Sequence, residues 1–146
     1  MPPQLVHYQT EVEYRNHYED KYCRSSIYTF DGFRIFFPKQ QFDDAFFESA
    51  NRLKRDKSVF SRRRAERMDW IGAALQDSTA ELYAGWDRDK KMVNYNRRVT
   101  LVYGDYVVIL NLNLKKSSAI FITAYIADAG TITKMRGGPK WEQKKV

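Results

Sequence analysis

The chain has a single cysteine, Cys23, and only two histidines, His7 and His17. One cysteine excludes an intramolecular disulfide and fits a reducing compartment. No apolar run reaches the length needed to cross a bilayer. The opening Met1-Pro2-Pro3-Gln4 lacks the basic, then apolar, then small order of a signal peptide. A soluble, cytoplasmic protein is therefore expected. There is no internal repeat and no low-complexity tract.

What is abundant is positive charge and aromatic surface. Across 146 residues, 25 Lys and Arg stand against 18 Asp and Glu, a net charge of +7. That length suits one domain with a full core. The charge suits phosphates or acidic surfaces. Ten Tyr and nine Phe supply core rings, and any left exposed can stack on bases.

Residues 97–125 carry the clearest pattern. They read as strands at 99–103, 106–114 and 120–127, joined by turns at Gly104-Asp105 and 115–119. In the middle strand, Tyr106, Val108, Leu110, Leu112 and Leu114 share one face, and Asn111 and Asn113 the other. In the next, Ile120, Ile122, Ala124 and Ile126 share a face, while Thr123 and Tyr125 point away. The aliphatic face belongs to a core. The polar face can hydrogen-bond a ligand, and on a basic domain an anionic one, nucleic acid first.

Elsewhere, an amphipathic helix is expected over 9–23, with Val12, Tyr14, Tyr18 and Tyr22 near helical spacing. Asp31-Gly32 between two β-prone runs signals a two-residue hairpin turn. A helix is expected over 41–54, with Phe42, Ala45, Phe46, Ser49 and Leu53 buried. A second, capped by Ser61, runs to Leu75 with Ala65, Met68, Ile71 and Leu75 inward. Strands follow at 81–86 and from Met92, with a short edge strand at 131–135. The fold class is α+β: one twisted antiparallel sheet of four or five strands, helices on one face, and a front helix and hairpin. The expected divisions are 1–26, a helical segment; 27–141, the main domain; and 142–146, a basic tail.

Three segments carry a family likeness: Phe42-Asp43-Asp44-Ala45-Phe46-Phe47; Arg64-Ala65-Glu66-Arg67-Met68-Asp69-Trp70-Ile71; and Tyr106-Val107-Val108-Ile109 with Phe121-Ile122-Thr123-Ala124-Tyr125 and Ile132-Thr133-Lys134. With them the chain resembles the nuclease superfamily that groups barnase, EndoU, colicin-type tRNases and RelE-type toxins, in its phage-encoded or contact-dependent toxin branch. The resemblance implies metal-independent cleavage of RNA, tRNA or mRNA, by attack of the RNA's own 2′-hydroxyl on an open sheet face. No cofactor and no metal is expected. Asp43 and Asp44 lack a third ligand at a metal-binding spacing.

On this resemblance Thr123 and Tyr125 stand where the family's last long strand carries functional hydroxyls. Arg98, Lys134 and Arg67 complete a catalytic set with His17. Relatives often carry a histidine near the first segment, where this chain has Asp43-Asp44. Three alternatives follow: His17 folds back into the cleft, an arginine-tyrosine-threonine set works without histidine, or the domain is catalytically weak. Arg52, Arg55, Arg62, Arg63 and Arg64 form a basic linker for RNA, with Asn111, Asn113 and Arg136 beside it. The same charges also fit a solvated helix face. The competing function is a non-catalytic module that holds RNA or a host protein. A cutter of cytosolic RNA, in the host or a target cell, implies a protective acidic immunity or antitoxin partner. No membrane partner is expected.

Overall fold

The Gly104-Asp105 turn organises the centre of the sheet. Gly104 has a φ of +65°, as the first central residue of a two-residue hairpin requires. The computed structural model describes residues 2–48, 59–87 and 92–140. In chain order its strands are β1 (Ile27–Tyr28), β2 (Arg34–Phe36), β3 (Phe47–Glu48), β4 (Val59–Phe60), β5 (Glu81–Asp87), β6 (Met92–Tyr103), β7 (Tyr106–Asn113) and β8 (Ser118–Ile126). Its helices are α1 (Glu11–Tyr18), α2 (Gln41–Ala45), α3 (Arg62–Ala65), α4 (Met68–Gln76) and α5 (Ala129–Arg136). The protein is α+β. Six strands form one mixed sheet in the order β1-β2-β8-β7-β6-β5, and β3 pairs with β4 separately. No described helix is long and apolar enough to cross a membrane.

The expected all-antiparallel sheet of four or five strands is thus replaced. β2 lies parallel to β8, with Arg34, Ile35 and Phe36 opposite Ser118, Ala119 and Ile120. This pairing joins residues more than 80 positions apart, and no local pattern announces it. The β1–β2 turn is also wider than expected. Ile27 pairs with Ile35 and Tyr28 with Arg34, so Asp31-Gly32 sits inside a loop. The Gly32 N–H donates to Thr29 O at 3.1 Å, Thr29 N–H to Phe33 O at 2.8 Å, and Gly32 has a φ of +93°. That is a three-residue loop with its glycine in the left-handed position.

β8 holds the feature that decides its faces. Ile109 pairs with Thr123, but Leu110 pairs with Phe121, so Ile122 is an extra residue. The Gln41 side-chain amide donates to the Ile122 carbonyl at 2.6 Å. The bulge reverses side-chain parity on its N-terminal side. Ala119, Phe121 and Ala124 are buried, whereas Ile120, expected inward, is 43% exposed.

Helices cover the inner face. Phe42 and Ala45 of α2, Ala65 of α3, and Met68, Ile71, Ala74 and Leu75 of α4 join Val99, Leu101, Tyr106, Val108 and Phe121 in one buried cluster. The four inward positions expected after Ser61 are all fully buried. Ser61 caps as expected, accepting from the Arg64 N–H at 3.3 Å. The helix nevertheless breaks at Glu66-Arg67. The Glu66 carbonyl accepts from Val6 N–H at 2.8 Å, and the Arg67 carbonyl accepts from Trp70 N–H at 2.9 Å and from the Tyr106 hydroxyl at 3.4 Å.

The helix expected over 41–54 stops at Ala45. The chain then extends, pairing Phe47 with Phe60 and Glu48 with Val59. Phe47 and Phe60 pack edge to face at 5.6 Å, and such cross-strand pairs favour the extended form. Ser49, Leu53 and the rest of that expected helix lie outside the described residues. The edge strand expected at 131–135 is a helix. Asp128 caps α5 by accepting from Thr131 N–H at 2.7 Å, and Ile132 packs with Tyr83, Val102, Val107 and Ala127 in a second buried cluster. That cluster covers one end of the outer sheet face.

The front helix is α1 plus a π-helical turn, Glu19–Cys23. Val12, expected in its buried stripe, is exposed. Tyr14, Tyr18 and Tyr22 sit inside the main cluster. Tyr18 is the hub: five rings, those of Tyr22, Phe37, Phe42, Phe46 and Phe121, lie with centroids 5.7–6.4 Å from its own. Its hydroxyl donates to Pro38 O at 2.7 Å. The expected front segment therefore belongs to the same core as the sheet. Tyr18→Ala is predicted to destabilise the protein by about 3–5 kcal/mol in urea unfolding, as large-to-small core changes do. Val12→Ala, on the exposed side of the same helix, should shift stability by less than about 0.5 kcal/mol.

Candidate nucleic-acid interface

α3 begins with three arginines, and each has a different environment. Arg62 turns back to the N-terminal arm. It donates to the carbonyls of Tyr8 and Gln9 and to the Tyr14 hydroxyl, and lies over the Tyr14 ring. Arg63 is exposed. Arg64 is half-buried, with its Nε 3.5 Å from Glu48 Oε1 and its guanidinium 5.4 Å from the centre of the Tyr125 ring.

Arg67 follows at the break between α3 and α4. One of its terminal nitrogens donates to Arg63 O at 2.8 Å, and its guanidinium lies 5.2 Å from the Trp70 ring. Its Nε is buried with no hydrogen-bond partner. Buried donors are nearly always paired, so a lone one beside a cleft marks capacity for an acceptor.

Arg63, Arg64 and Arg67 line one cleft with Glu48, Tyr106, Tyr125 and Ile126. β8 supplies Tyr125, β3 supplies Glu48, and the break at Glu66-Arg67 brings the arginines alongside. Three arginines against one glutamate give the lining of this cleft an excess of positive charge. Tyr106 is fully buried, and desolvation raises its hydroxyl well above the ordinary range. It stays a neutral donor to Arg67 O.

Of the residues expected at the site from sequence, Arg67, Arg64, Arg63 and Tyr125 are brought together. The others are not. Thr123 lies on β8, but its hydroxyl is buried without a partner and does not line the cleft. Arg98 stands opposite Asn111 on the outer sheet face, where Asn111 and Asn113 are exposed. Lys134 is exposed on α5. Arg136 is held by Glu81 at 2.9 Å. Arg52 and Arg55 lie outside the described residues. Glu48 escaped the sequence reading because that stretch was expected to be helical. The Phe46-Phe47 pair, strand-prone and aromatic, was the available signal.

His17 occupies a different place. Its Nε2 lies 2.6 Å from Asp69 Oδ1 and its Nδ1 2.8 Å from the Tyr8 hydroxyl. Nε2–H donates to the Asp69 carboxylate, and Nδ1 shares a hydrogen bond with the Tyr8 hydroxyl. Lys21 Nζ joins Asp69 at 3.0 Å. This cluster fastens α1 and the N-terminal arm to α4. It borders a surface pocket lined by Tyr8, Asn16, His17 and Lys21, which shares no residue with the arginine cleft. Cys23 is a free thiol, and burial pushes it up, away from the reactive thiolate. Asp43 pairs with Arg15 at 2.6 Å, and among the described residues no group of three His, Cys, Asp or Glu could hold a metal ion.

Comparison with protein-family models, curated proteins and solved structures gives no match.

Desolvation alone would raise the Asp69 carboxyl. Hydrogen bonds from His17 and Lys21 outweigh it and hold the group below its ordinary value. A depressed carboxyl stabilises the fold above its unfolded value of about 3.9 and loses that contribution as pH falls through the lower folded value. Melting temperatures measured from pH 7 down to pH 2 should therefore show an acid-side loss. Asp69→Asn should lower stability at pH 7 and flatten part of that acid-side slope.

Proposed function

We propose that this protein is a metal-independent endoribonuclease of effector type, cutting RNA in the arginine cleft beside β8. The observation that carries the reading is the convergence of Arg63, Arg64 and Arg67 with Tyr125 and Glu48. These residue types cover the needs of 2′-hydroxyl transesterification. Glu48 takes the proton of the 2′-hydroxyl as its oxygen bonds to phosphorus. Arg64 and Arg67 stabilise the charge that develops on the phosphoryl oxygens. The Tyr125 hydroxyl gives its proton to the 5′-oxygen as the phosphorus–oxygen bond breaks. The products are a 2′,3′-cyclic phosphate and a free 5′-hydroxyl. The net charge of +7 speeds capture of a polyanion and suits an acidic protective partner. His17 and Thr123 have no direct part in this scheme.

The second reading is an RNA-binding module without chemistry. The buried Thr123 hydroxyl and the engagement of His17 away from the cleft favour it. Purified protein incubated with total RNA in excess EDTA decides between the two. The nuclease reading expects discrete fragments, with cleavage slowed roughly 100-fold or more by Tyr125→Phe, Glu48→Gln or Arg67→Ala. Intact RNA with folded protein would reject cleavage and leave the binding reading.

A further inference from the structure

Among the described residues, the outer sheet face is covered by α5 at only one end. Beyond it, strand register builds an open row: Phe36 beside Ile120, Ile120 beside Asn111, and Asn111 beside Arg98. The next row places Arg34 beside Ser118 and Ser118 beside Asn113, with Tyr28 opposite Arg34 on β1. Tyr28 is 48% exposed, Phe36 45% and Ile120 43%. A folded chain seldom leaves large apolar side chains clustered like this without a use for them.

The charged side chains within these two rows have one sign. Arg34 and Arg98 lie among them, and Lys115 and Lys116 are exposed in the turn beyond Asn113. Among the described residues of the two rows there is no carboxylate. The Arg34 guanidinium lies 4.6 Å from the centre of the Phe36 ring, presenting a stacked cation and ring. A recess lined by Ser25, Arg34, Phe36 and Pro38 borders this face.

We infer that this face is a stacking platform for single-stranded RNA, with bases on Phe36 and Tyr28, amides of Asn111 and Asn113 on base edges, and Arg34 and Arg98 on phosphates. Aromatic rings on an open sheet, interleaved with cations and amides, suit unpaired bases, which have free faces and edges. A duplex hides both. Ile120 and Tyr125 lie on the same strand, and a rise of about 3.3 Å per residue separates them by roughly 15 Å. One strand of RNA held on the platform can therefore run over the edge of β8 into the arginine cleft. The inference rests on the RNA reading above and says how that substrate is held.

The test is fluorescence anisotropy of the full chain with a labelled, fully 2′-O-methylated oligonucleotide, which cannot be cut by this chemistry. Phe36→Ala and Tyr28→Ala should each weaken binding roughly 5- to 150-fold, the range of one lost base stack. Phe36→Trp, which keeps a ring, should restore it, and melting temperatures should stay near that of the wild type. Arg67→Ala should lose less affinity than either platform variant, while cutting unmodified RNA roughly 100-fold or more slowly than the wild type. Wild-type binding unchanged by Phe36→Ala and Tyr28→Ala would overturn the platform and leave the RNA reading standing. A duplex bound as tightly as the single strand would also overturn it, as would a dimer that Phe36→Ala dissociates with no loss of affinity. No binding by the wild type would overturn both.

Discussion

One extra residue in β8 decides what this protein presents to solvent. Without the bulge at Ile122, strand alternation would put Phe121 outside and Ile120 in the core. With it, Phe121 is buried and Ile120 emerges beside Phe36. Past the bulge, Ala124 returns to the core and Tyr125 sits beneath Arg64. The open aromatic face and the arginine cleft therefore depend on the same irregularity. Gln41 holds it by bonding the Ile122 carbonyl, so the start of α2 and the parity of β8 are set together.

The second constraint is the ring cluster under the sheet. Tyr14, Tyr18 and Tyr22 enter the core from α1 and its π-helical turn. Each is polar at its tip, and each tip is satisfied: Tyr14 donates to Val6 O, Tyr18 to Pro38 O and Tyr22 to Met68 O. Tyr22 also accepts from Gly72 N–H at 3.0 Å. Burial raises Tyr18 and Tyr22 far above the ordinary phenol range, so both remain neutral donors. Buried hydroxyls with fixed partners give the front helix one seat. From there it carries His17 to Asp69 and Arg15 to Asp43. The N-terminal arm in turn holds Arg62 and the carbonyl of Glu66, and so helps fix the break that puts Arg67 at the cleft.

Legibility in the sequence followed the range of the interaction. The Ser61 cap, the Gly104-Asp105 turn and the inward set Ala65, Met68, Ile71 and Leu75 are local or periodic signals, and they could be read directly. The β2–β8 parallel pairing and the Ile122 bulge are tertiary, with no local mark. The helical state of Thr131-Ile132-Thr133 went against propensity because the Asp128 cap and the second cluster decided it, and the early end of α2 was decided by Phe60, the cross-strand partner of Phe47. For the site, the arginines of α3 and Tyr125 were legible as a basic run and a strand phenol. Glu48 was hidden by the wrong element, and the Phe36–Ile120 row by the parity error. Thr123 followed from alternation and does lie away from the main core, but its hydroxyl is buried.

The proposed attack by the substrate's own 2′-hydroxyl in the arginine cleft leaves its mark on the ends of the RNA fragments. The most direct measurement is the chemistry of the product ends, made on an RNA oligonucleotide incubated with the protein in EDTA and analysed by mass spectrometry. The expected result is a 2′,3′-cyclic phosphate on one fragment, a 5′-hydroxyl on the other, and no cut where the adjoining nucleotide carries 2′-deoxyribose. Fragments ending in a 3′-hydroxyl and a 5′-phosphate, or cleavage that ignores the missing 2′-hydroxyl, would contradict it.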